Sequence, residues 1–325
     1  MGSERDIFKK RVNYKPFEYP EVMVFIEAIN KSYWVHSEID FTADTQDFKV
    51  HLSDKEKEIV KRSLLSIAQV EVSVKTFWGN LYNHMPKPEL NGLGSTFAEC
   101  EFRHSEAYSR LLEVLGYNNE FNTLLEIPVF QDKLNFIEDN LNSSMSIEWK
   151  LLFFTLIIEN ASLFSQFANI LSFTRFKGYL KNTSNIIAWT SVDEQTHANA
   201  GIYLLKQLIV EGHISERQLD LLPELVIKYI EQESKLLDWI YEKGELDFFN
   251  KEDILNFMKY RVDEALIQLG IDKVFNISMK QYKPMMWFEE EVFANELDDF
   301  FAKRPVAYTK NDKRKRSIHR FSNIR

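Results

Sequence analysis

Two short patterns in this sequence combine a carboxylate with an imidazole at helical spacing. Both read Glu-x-x-His, and a lone glutamate precedes them by 30 and 35 residues respectively. Positions i and i+3 share a face of an α-helix, so each pattern presents both of its side chains to one neighbour. Carboxylates and imidazoles bind transition metals, so these residues predict metal chemistry. The six residues are Glu71, Glu101, His104, Glu159, Glu194 and His197.

The apolar surroundings of the glutamates strengthen this prediction. Glu71 shares its predicted helix face with Ile67 and Trp78, and Glu159 shares one with Leu163. An ionised carboxylate on a core face is costly unless it is paired, hydrogen-bonded or bound to a metal ion. Taken singly, each of these residues also fits a buried ion pair or a satisfied core histidine. The matching arrangement in two halves of the chain favours one shared metal site.

The combined ligand set is the second observation about this site. A lone glutamate from each of two helices, with Glu-x-x-His from each of two others, builds a carboxylate-bridged dimetal site in a four-helix bundle. The set contains no thiolate, which favours iron or manganese over zinc or copper. We therefore expect two metal ions per chain.

The elements that must position these residues are predicted to be long helices. Proline and glycine are sparse, with 8 and 10 respectively among 325 residues, and no proline lies between residues 129 and 222. Sustained strand-like alternation is absent from the sequence, so the predicted fold class is all-α. The predicted helices span about residues 53–84, 96–116, 147–180, 183–211, 217–243, 251–270 and 288–303.

Two capping boxes mark where the first two long helices are expected to begin. Ser53 and Glu56 form the first box, and Thr96 and Glu99 form the second. Between these helices, the prolines and glycines of residues 86–94 predict a turn. A later apolar stretch, over residues 151–174, is interrupted by polar side chains. It indicates a buried core helix rather than a membrane span.

Charge is unevenly distributed along the chain. The formal net charge is -9, but residues 303–325 hold nine Lys or Arg and one Asp, a local charge of +8. The preceding residues therefore carry -17, and such an acidic body argues against nucleic-acid binding. Cys100 is the single cysteine, which excludes an intrachain disulfide and points to a reducing compartment. We expect Cys100 to be a small core residue on a different helix face from Glu101.

These motifs resemble the small, radical-generating subunit of class I ribonucleotide reductase over roughly residues 19–308. Tyr108 follows the histidine of the first pattern by four residues, where the family can store a radical on a tyrosine. Asp193 stands directly before the second pattern, as is typical of the family. Trp34 matches a tryptophan of the family's electron path. Tyr308, the only tyrosine of the tail, is similar to the residue that relays the radical to the large subunit.

The resemblance implies a ferritin-like four-helix bundle extended by additional helices. It implies one dimetal-carboxylate domain over residues 1–304 and a flexible basic tail, residues 305–325, that docks to the large catalytic subunit. The six carboxylate and imidazole residues would bind the two metal ions, and dioxygen or superoxide would oxidise these ions to a radical-generating cofactor. Long-range proton-coupled electron transfer would then form a thiyl radical in the large subunit, which reduces ribonucleoside diphosphates.

The remaining expectations concern assembly and location. We expect a homodimer, an activating flavoprotein as an additional partner, and a cytoplasmic location. We expect neither nucleic acid nor a membrane as a partner.

One ligand departs from the common pattern of the family. Most members carry Asp at the first ligand position, whereas this chain has Glu71. In the family, Glu at this position accompanies subclasses that keep the oxidising equivalent on the metal ions. Together with Tyr108, it favours a dimanganese cofactor and a tyrosine that is not oxidised. An iron cofactor with a radical on Tyr108 is the alternative.

Two other functions use the same ligand set. A ferritin-like dimetal oxidase or monooxygenase would need a substrate channel and no relay through the tail. A non-enzymatic metal-storage protein of this class is usually shorter than this chain. Trp34, Asp193 and Tyr308 together favour the reductase subunit.

Overall fold

The structure is a computed structural model that describes residues 5–142 and 144–292, without the side chains of residues 72–75. Tyr308 and the predicted tail, residues 305–325, lie outside the described residues. The division of the chain into a helical domain and a tail therefore stays a prediction.

Helices account for the architecture of the described chain, and no strand occurs within these residues. This observation confirms the all-α fold class. Two π-helical segments, Asp47–His51 and Phe154–Ser162, interrupt the α-helical geometry, and residues 287–292 are also helical. The α-helices are α1 Val22–Lys31, α2 Thr42–Gln46, α3 Asp54–Gly79, α4 Leu81–His84, α5 Pro88–Leu115, α6 Asn118–Thr123, α7 Pro128–Leu141, α8 Ile147–Phe153, α9 Phe164–Lys177, α10 Lys181–Val210, α11 Glu216–Asp220, α12 Leu222–Ile240, α13 Lys251–Gln268 and α14 Met279–Tyr282.

Four long helical units form the central bundle. They are α3, α5, α10 and the long helix Ile147–Lys177, which consists of α8, the second π-helical segment and α9. In this bundle α3 packs on α5 and α9, while α10 packs on α5 and on the long helix. Around it, α1 covers α5 and α10, and α13 covers the π-helical segment. The fold is the predicted four-helix bundle with additional helices.

The long helix Ile147–Lys177 is the most buried unit of the bundle. Every residue from Leu151 to Phe173 is buried, which confirms the predicted core helix. Within the part of the chain that the structure describes, this is the one helix long and apolar enough to cross a membrane by length and composition. Its sides are enclosed by the other helices of this same chain.

The two predicted helix starts have different outcomes. As predicted, Ser53 caps α3. Its side chain accepts from the Glu56 backbone N–H, and the Glu56 carboxylate accepts from the Ser53 N–H. The predicted start at Thr96 is wrong, because α5 already begins at Pro88. Proline suits the first position of a helix, where no hydrogen bond is required of its nitrogen. The Thr96 hydroxyl instead donates to the carbonyl of Gly92 inside the helix.

Gly94 lies inside α5 because the helix contact requires it. A Cβ atom at this position would overlap the backbone carbonyl oxygen of Trp78 on α3. A Cβ atom at Gly79, the last residue of α3, would meet only the Ala98 side chain at an ordinary 3.7 Å. Pro86 precedes α5, as the predicted turn at residues 86–94 requires, but Pro88, Gly92 and Gly94 belong to the helix. The later part of the predicted turn is therefore wrong.

We expect Gly94→Ala to lower the free energy of unfolding by about 1–3 kcal/mol, because α3 and α5 must move apart to admit the methyl group. Gly79→Ala is the matched control and should change it by less than about 0.5 kcal/mol. Urea unfolding of the two variants measures both values. Equal destabilisation by the two substitutions would contradict this account of the helix contact.

Candidate metal centre

The six predicted ligand residues converge at the centre of the bundle. Each helical unit contributes as expected, because α3 carries the first lone glutamate and the π-helical segment carries the second. The two Glu-x-x-His pairs lie on α5 and α10. All six side chains are buried, with at most 1 % of their surface exposed. The residues are Glu71, Glu101, His104, Glu159, Glu194 and His197.

One half of the centre is arranged around the Nδ1 atom of His104. This nitrogen lies 3.2 Å from Oε2 of Glu101 and 3.1 Å from Oε1 of Glu194. An oxygen of Glu71, Oε2, lies 3.9 Å away. The four residues bring one ligand atom each to within 4.8 Å of one another, which is close enough to surround one metal ion.

The other half is arranged in the same way around His197. Its Nδ1 atom lies 2.8 Å from Oε1 of Glu101, 3.3 Å from Oε2 of Glu194 and 3.5 Å from Oε2 of Glu159. These four residues form a second group with metal-binding spacing. Glu101 and Glu194 belong to both groups, and each directs one oxygen to each histidine. Two carboxylates shared between two groups are the geometry that a bridged pair of metal ions requires.

Unsatisfied polar atoms test whether these residues fit a dimetal cofactor. Several buried polar atoms make no well-aligned hydrogen bond among the described residues, although some lie close to one another. They are both oxygens of Glu71, Oε1 of Glu101, Oε2 of Glu159, Oε1 of Glu194 and both ring nitrogens of His197. Each such atom costs about 1–3 kcal/mol when nothing binds it. Metal coordination would satisfy this cluster, and two divalent cations would balance the charge of four carboxylates. The residues therefore fit a pair of metal ions.

The protonation of the carboxylates supports the same conclusion. Burial raises the pKa of Glu71 well above its usual range, and the charges of Glu101 and Glu194 raise it further although His104 opposes them. Burial likewise raises the pKa of Glu159, with the Glu194 charge adding to the effect. Without a bound cation, these two carboxyl groups tend to hold a proton. A metal ion is what would keep them ionised in the core.

Trp34 and Asp193, the two residues of the predicted electron path, lie next to His104. The indole Nε1 of Trp34 donates to Oδ2 of Asp193 over 2.8 Å, and the same oxygen lies 3.2 Å from Nε2 of His104. The Trp34 and His104 rings stack with their centroids 5.7 Å apart. Burial opposes ionisation of Asp193, but the hydrogen bond with His104 and the charge of Arg103 hold its pKa below the usual range. The three side chains form one buried, hydrogen-bonded chain that leads away from the centre.

Tyr108 lies inside the bundle on the Glu71 side of the centre. It is 1 % exposed, and burial together with the Glu71 charge raises the pKa of its phenol well above the usual range. The phenol therefore stays protonated at neutral pH. The structure thus brings Tyr108, Trp34 and Asp193 to the centre, while Tyr308 lies outside the described residues.

Side-chain contacts of two residues next to the centre were not predicted from the sequence. Cys100 is a small buried core residue, as predicted, but its contacts beside the centre were not predicted. Its Sγ atom donates to Oδ2 of Asp193 over 3.4 Å and lies 3.4 Å from Nε2 of His104. Cys100 and His104 are four residues apart, so helical spacing could have identified the contact. Trp78 donates from Nε1 to Oε1 of Glu159 over 2.6 Å, and nothing in the sequence pattern pairs these two residues.

Comparison with known proteins identifies the family. The family described as "Ribonucleotide reductase, small chain" matches residues 11–284 of this chain. The chain belongs to this family. The predicted activity, that of the small subunit of ribonucleoside-diphosphate reductase acting with a large subunit, is thereby confirmed. A separate ferritin-like oxidase or a storage protein is not favoured.

Relatives match along nearly the whole chain. It is 25% identical to the probable ribonucleoside-diphosphate reductase small subunit of Invertebrate iridescent virus 3, covering 92% of this chain and 85% of that protein. It is 24% identical to the ribonucleoside-diphosphate reductase small subunit of Dictyostelium discoideum, covering 93% of this chain and 87% of that protein.

Solved structures with the same fold include two bacterial proteins. A putative class I ribonucleotide reductase from Bacillus halodurans superposes with a TM-score of 0.76 and 20% identity, covering 83% of this chain and 99% of that chain. The dimanganese(II) form of NrdF from Streptococcus sanguinis superposes with a TM-score of 0.74 and 20% identity, covering 89% of this chain and 99% of that chain. These similarities confirm the ferritin-like fold of the family.

The position of Cys100 predicts its reactivity. Its side chain is buried in α5, so we expect no reaction with Ellman's reagent in the native protein and one thiol per chain after unfolding. Cys100→Ser should give no signal in either state. Rapid labelling of the native wild-type protein would contradict the buried contact with Asp193.

Proposed function

We propose that this chain generates the oxidising equivalent with which a class I ribonucleoside-diphosphate reductase reduces its substrate. The proposal is carried by one observation, namely the two four-residue groups that share Glu101 and Glu194. A centre of this kind serves a pair of metal ions acting together, whereas a single ion would need only one group. The substrate itself binds to the large subunit.

The ligand residues have distinct roles in this proposal. Glu101 and Glu194 would be shared between the two metal ions, while Glu71 with His104 and Glu159 with His197 would complete one position each. When bound, the metal pair supplies a one-electron oxidant after reaction with dioxygen or superoxide. Aromatic side chains keep water away from this oxidant, since the Phe97 ring lies 4.1 Å from the ring of His197.

An electron reaches the centre along the chain of hydrogen bonds. Nε2 of His104 lies 3.2 Å from Oδ2 of Asp193, and this oxygen accepts a hydrogen bond from Nε1 of Trp34 over 2.8 Å. An electron passing from Trp34 towards the centre leaves a positive charge on the indole, and Asp193 can accept the Nε1 proton at Oδ2. Tyr308 in the tail then relays the oxidising equivalent to a cysteine of the large subunit.

The metal ions are proposed to be manganese, with iron as the alternative. Glu71 in place of the common Asp is the feature of this chain that supports manganese, because it accompanies family members with a metal-held oxidant. The fold neighbour from Streptococcus sanguinis is a dimanganese(II) protein, which agrees with this choice. In the proposed form, Tyr108 packs beside the centre without being oxidised.

The proposed assembly is a cytoplasmic homodimer bound to the large subunit and activated by a flavoprotein. Residues 303–325 carry a charge of +8, so we expect the tail to dock in an acidic groove of the large subunit. Association through such a tail weakens as salt rises, because exposed charges are screened.

Glu194→Ala tests the centre and the function together. We expect the variant to lose metal at both positions, because Glu194 belongs to both four-residue groups. Mixed with a candidate large subunit, it should form no deoxyribonucleotide, although the wild-type protein does. Glu231→Ala, an exposed glutamate on α12, is the control. Full metal content and full turnover in the Glu194 variant would overturn the site.

Tyr108→Phe separates the two radical schemes. With the oxidising equivalent held on the metal ions, we expect unchanged turnover and unchanged metal content, because the ring and its packing are kept. Turnover with the large subunit and electron paramagnetic resonance of the activated protein provide the measurements. If turnover falls below detection while the metals remain bound, the oxidised residue is Tyr108 and the proposal of an oxidant held on the metal ions is wrong.

A further inference from the structure

Glu159 and Glu71 occupy matching places in the two halves of the metal centre, but they are held differently. Glu159 Oε1 accepts a hydrogen bond from the Trp78 indole over 2.6 Å. Its other oxygen, Oε2, has no hydrogen-bond partner and lies 3.5 Å from Nδ1 of His197. Neither oxygen of Glu71 has a hydrogen-bond partner among the described residues. One lone glutamate is therefore anchored at one oxygen, and the other is not.

The indole that anchors Glu159 is itself fixed by its surroundings. Trp78 has no exposed surface and meets Phe97 edge-on, with ring centroids 4.9 Å apart. Phe154 also meets it edge-on at 5.7 Å. Its backbone is pressed against Gly94, where no Cβ atom could fit. These contacts fix the orientation of the Trp78 ring, with its N–H group directed at Glu159.

The backbone beside Glu159 is fixed from the opposite side. Asn160 donates from Nδ2 to the carbonyl of Arg261 over 3.1 Å, and Arg261 donates from Nε to the carbonyl of Asn160 over 2.7 Å. The Arg261 guanidinium also lies 3.5 Å from the centroid of the Phe164 ring. The two hydrogen bonds between Asn160 and Arg261 therefore fix the π-helical segment against α13, directly beside Glu159. Both the main chain and the carboxylate of Glu159 are thus held in place.

We propose that Trp78 is a positioning residue that occupies Oε1 of Glu159 and leaves Oε2 as its single metal-binding atom. The inference rests on the proposed function, since it assumes that the centre holds two metal ions. The metal position formed with His197 is then organised before the ion arrives, and it needs little rearrangement to bind. The position formed with Glu71 must order its carboxylate during binding. The two positions therefore differ in affinity, and the indole N–H group is a cause of the difference.

Two substitutions remove the hydrogen bond in different ways. Trp78→Phe deletes the donor together with part of the ring. Replacement of Trp78 by β-(3-benzothienyl)alanine keeps the size and shape of the indole and exchanges only its N–H group for sulfur. Trp239→Phe is the matched control, because Trp239 packs on Phe130 and Arg62 away from the centre. Glu159→Ala identifies which of the two binding steps belongs to the Glu159 position.

The measurement is a titration of the metal-free, full-length protein with Mn(II). Free Mn(II) is followed by its electron paramagnetic resonance signal, which yields the dissociation constants of the two steps. We expect both Trp78 variants to weaken the step that Glu159→Ala removes by about 10- to 100-fold, the usual effect of losing a partner of a metal ligand. The other step and the Trp239 control should stay close to wild type.

Each remaining outcome has a defined meaning. Wild-type constants in the benzothienyl variant would overturn the inference, because the N–H group would then have no effect on the ligand. Equal weakening of both steps would also overturn it, since that result reflects general disruption of the core. A wild-type protein that takes up fewer than two Mn(II) ions per chain would instead contradict the proposed function.

Discussion

The confinement of four carboxylates in the middle of a helical bundle is the constraint on which this structure depends. Buried charge of one sign is expensive, and the two histidines among these carboxylates cannot neutralise all of it. This cost is reflected in the unsatisfied oxygen atoms of Glu71 and in the raised pKa values of Glu71 and Glu159. Two bound cations would offset this cost and cross-link the four helices of the bundle.

The helices around the centre supply ligands without leaving backbone polar groups unsatisfied in the core. Each ligand comes from a helical unit whose backbone hydrogen bonds are satisfied internally, so only side chains have to meet the demands of the cations. The partners of these ligands are equally specific, because Trp78 occupies one oxygen of Glu159 and Asp193 lies against His104. From Asp193 the hydrogen bonds continue to Trp34. These contacts support a ligand of the centre, and in the proposed function they also form the path of an electron.

The all-α fold and the six ligand residues could be predicted from the sequence because they depend on short-range spacing. The Glu-x-x-His pairs and the Ser53 cap are local patterns, and the structure places them as expected. Two predictions, the helix start at Thr96 and the turn at residues 86–94, were wrong because tertiary contacts overrode local preferences. Thr96 has the chemistry of a helix cap, but Pro88 starts the helix earlier and Gly94 continues it to pack against α3.

Contacts between distant segments set the limit of the sequence analysis. Trp78 and Glu159 are 81 residues apart, and only the packing of α3 against the long helix brings them together. The burial of Cys100 was predicted, but its contact with His104 was missed because the prediction compared Cys100 only with Glu101. The electron path was predicted through a family resemblance. Spacing alone does not connect Trp34 with Asp193.

The π-helical segment Phe154–Ser162 sets the rotational phase of α9 relative to α8. In an α-helix each residue turns the chain by about 100°, and a π-helical segment changes that count locally. If one residue were deleted here and the remaining residues kept their present helical geometry, the whole of α9 would rotate by roughly that angle. Asn169, which contacts Ser63 in the core, and the solvent-facing Arg175 would then turn towards new surroundings. A change of length in this segment is therefore a change of orientation for fourteen downstream residues, unlike the same change in a surface loop.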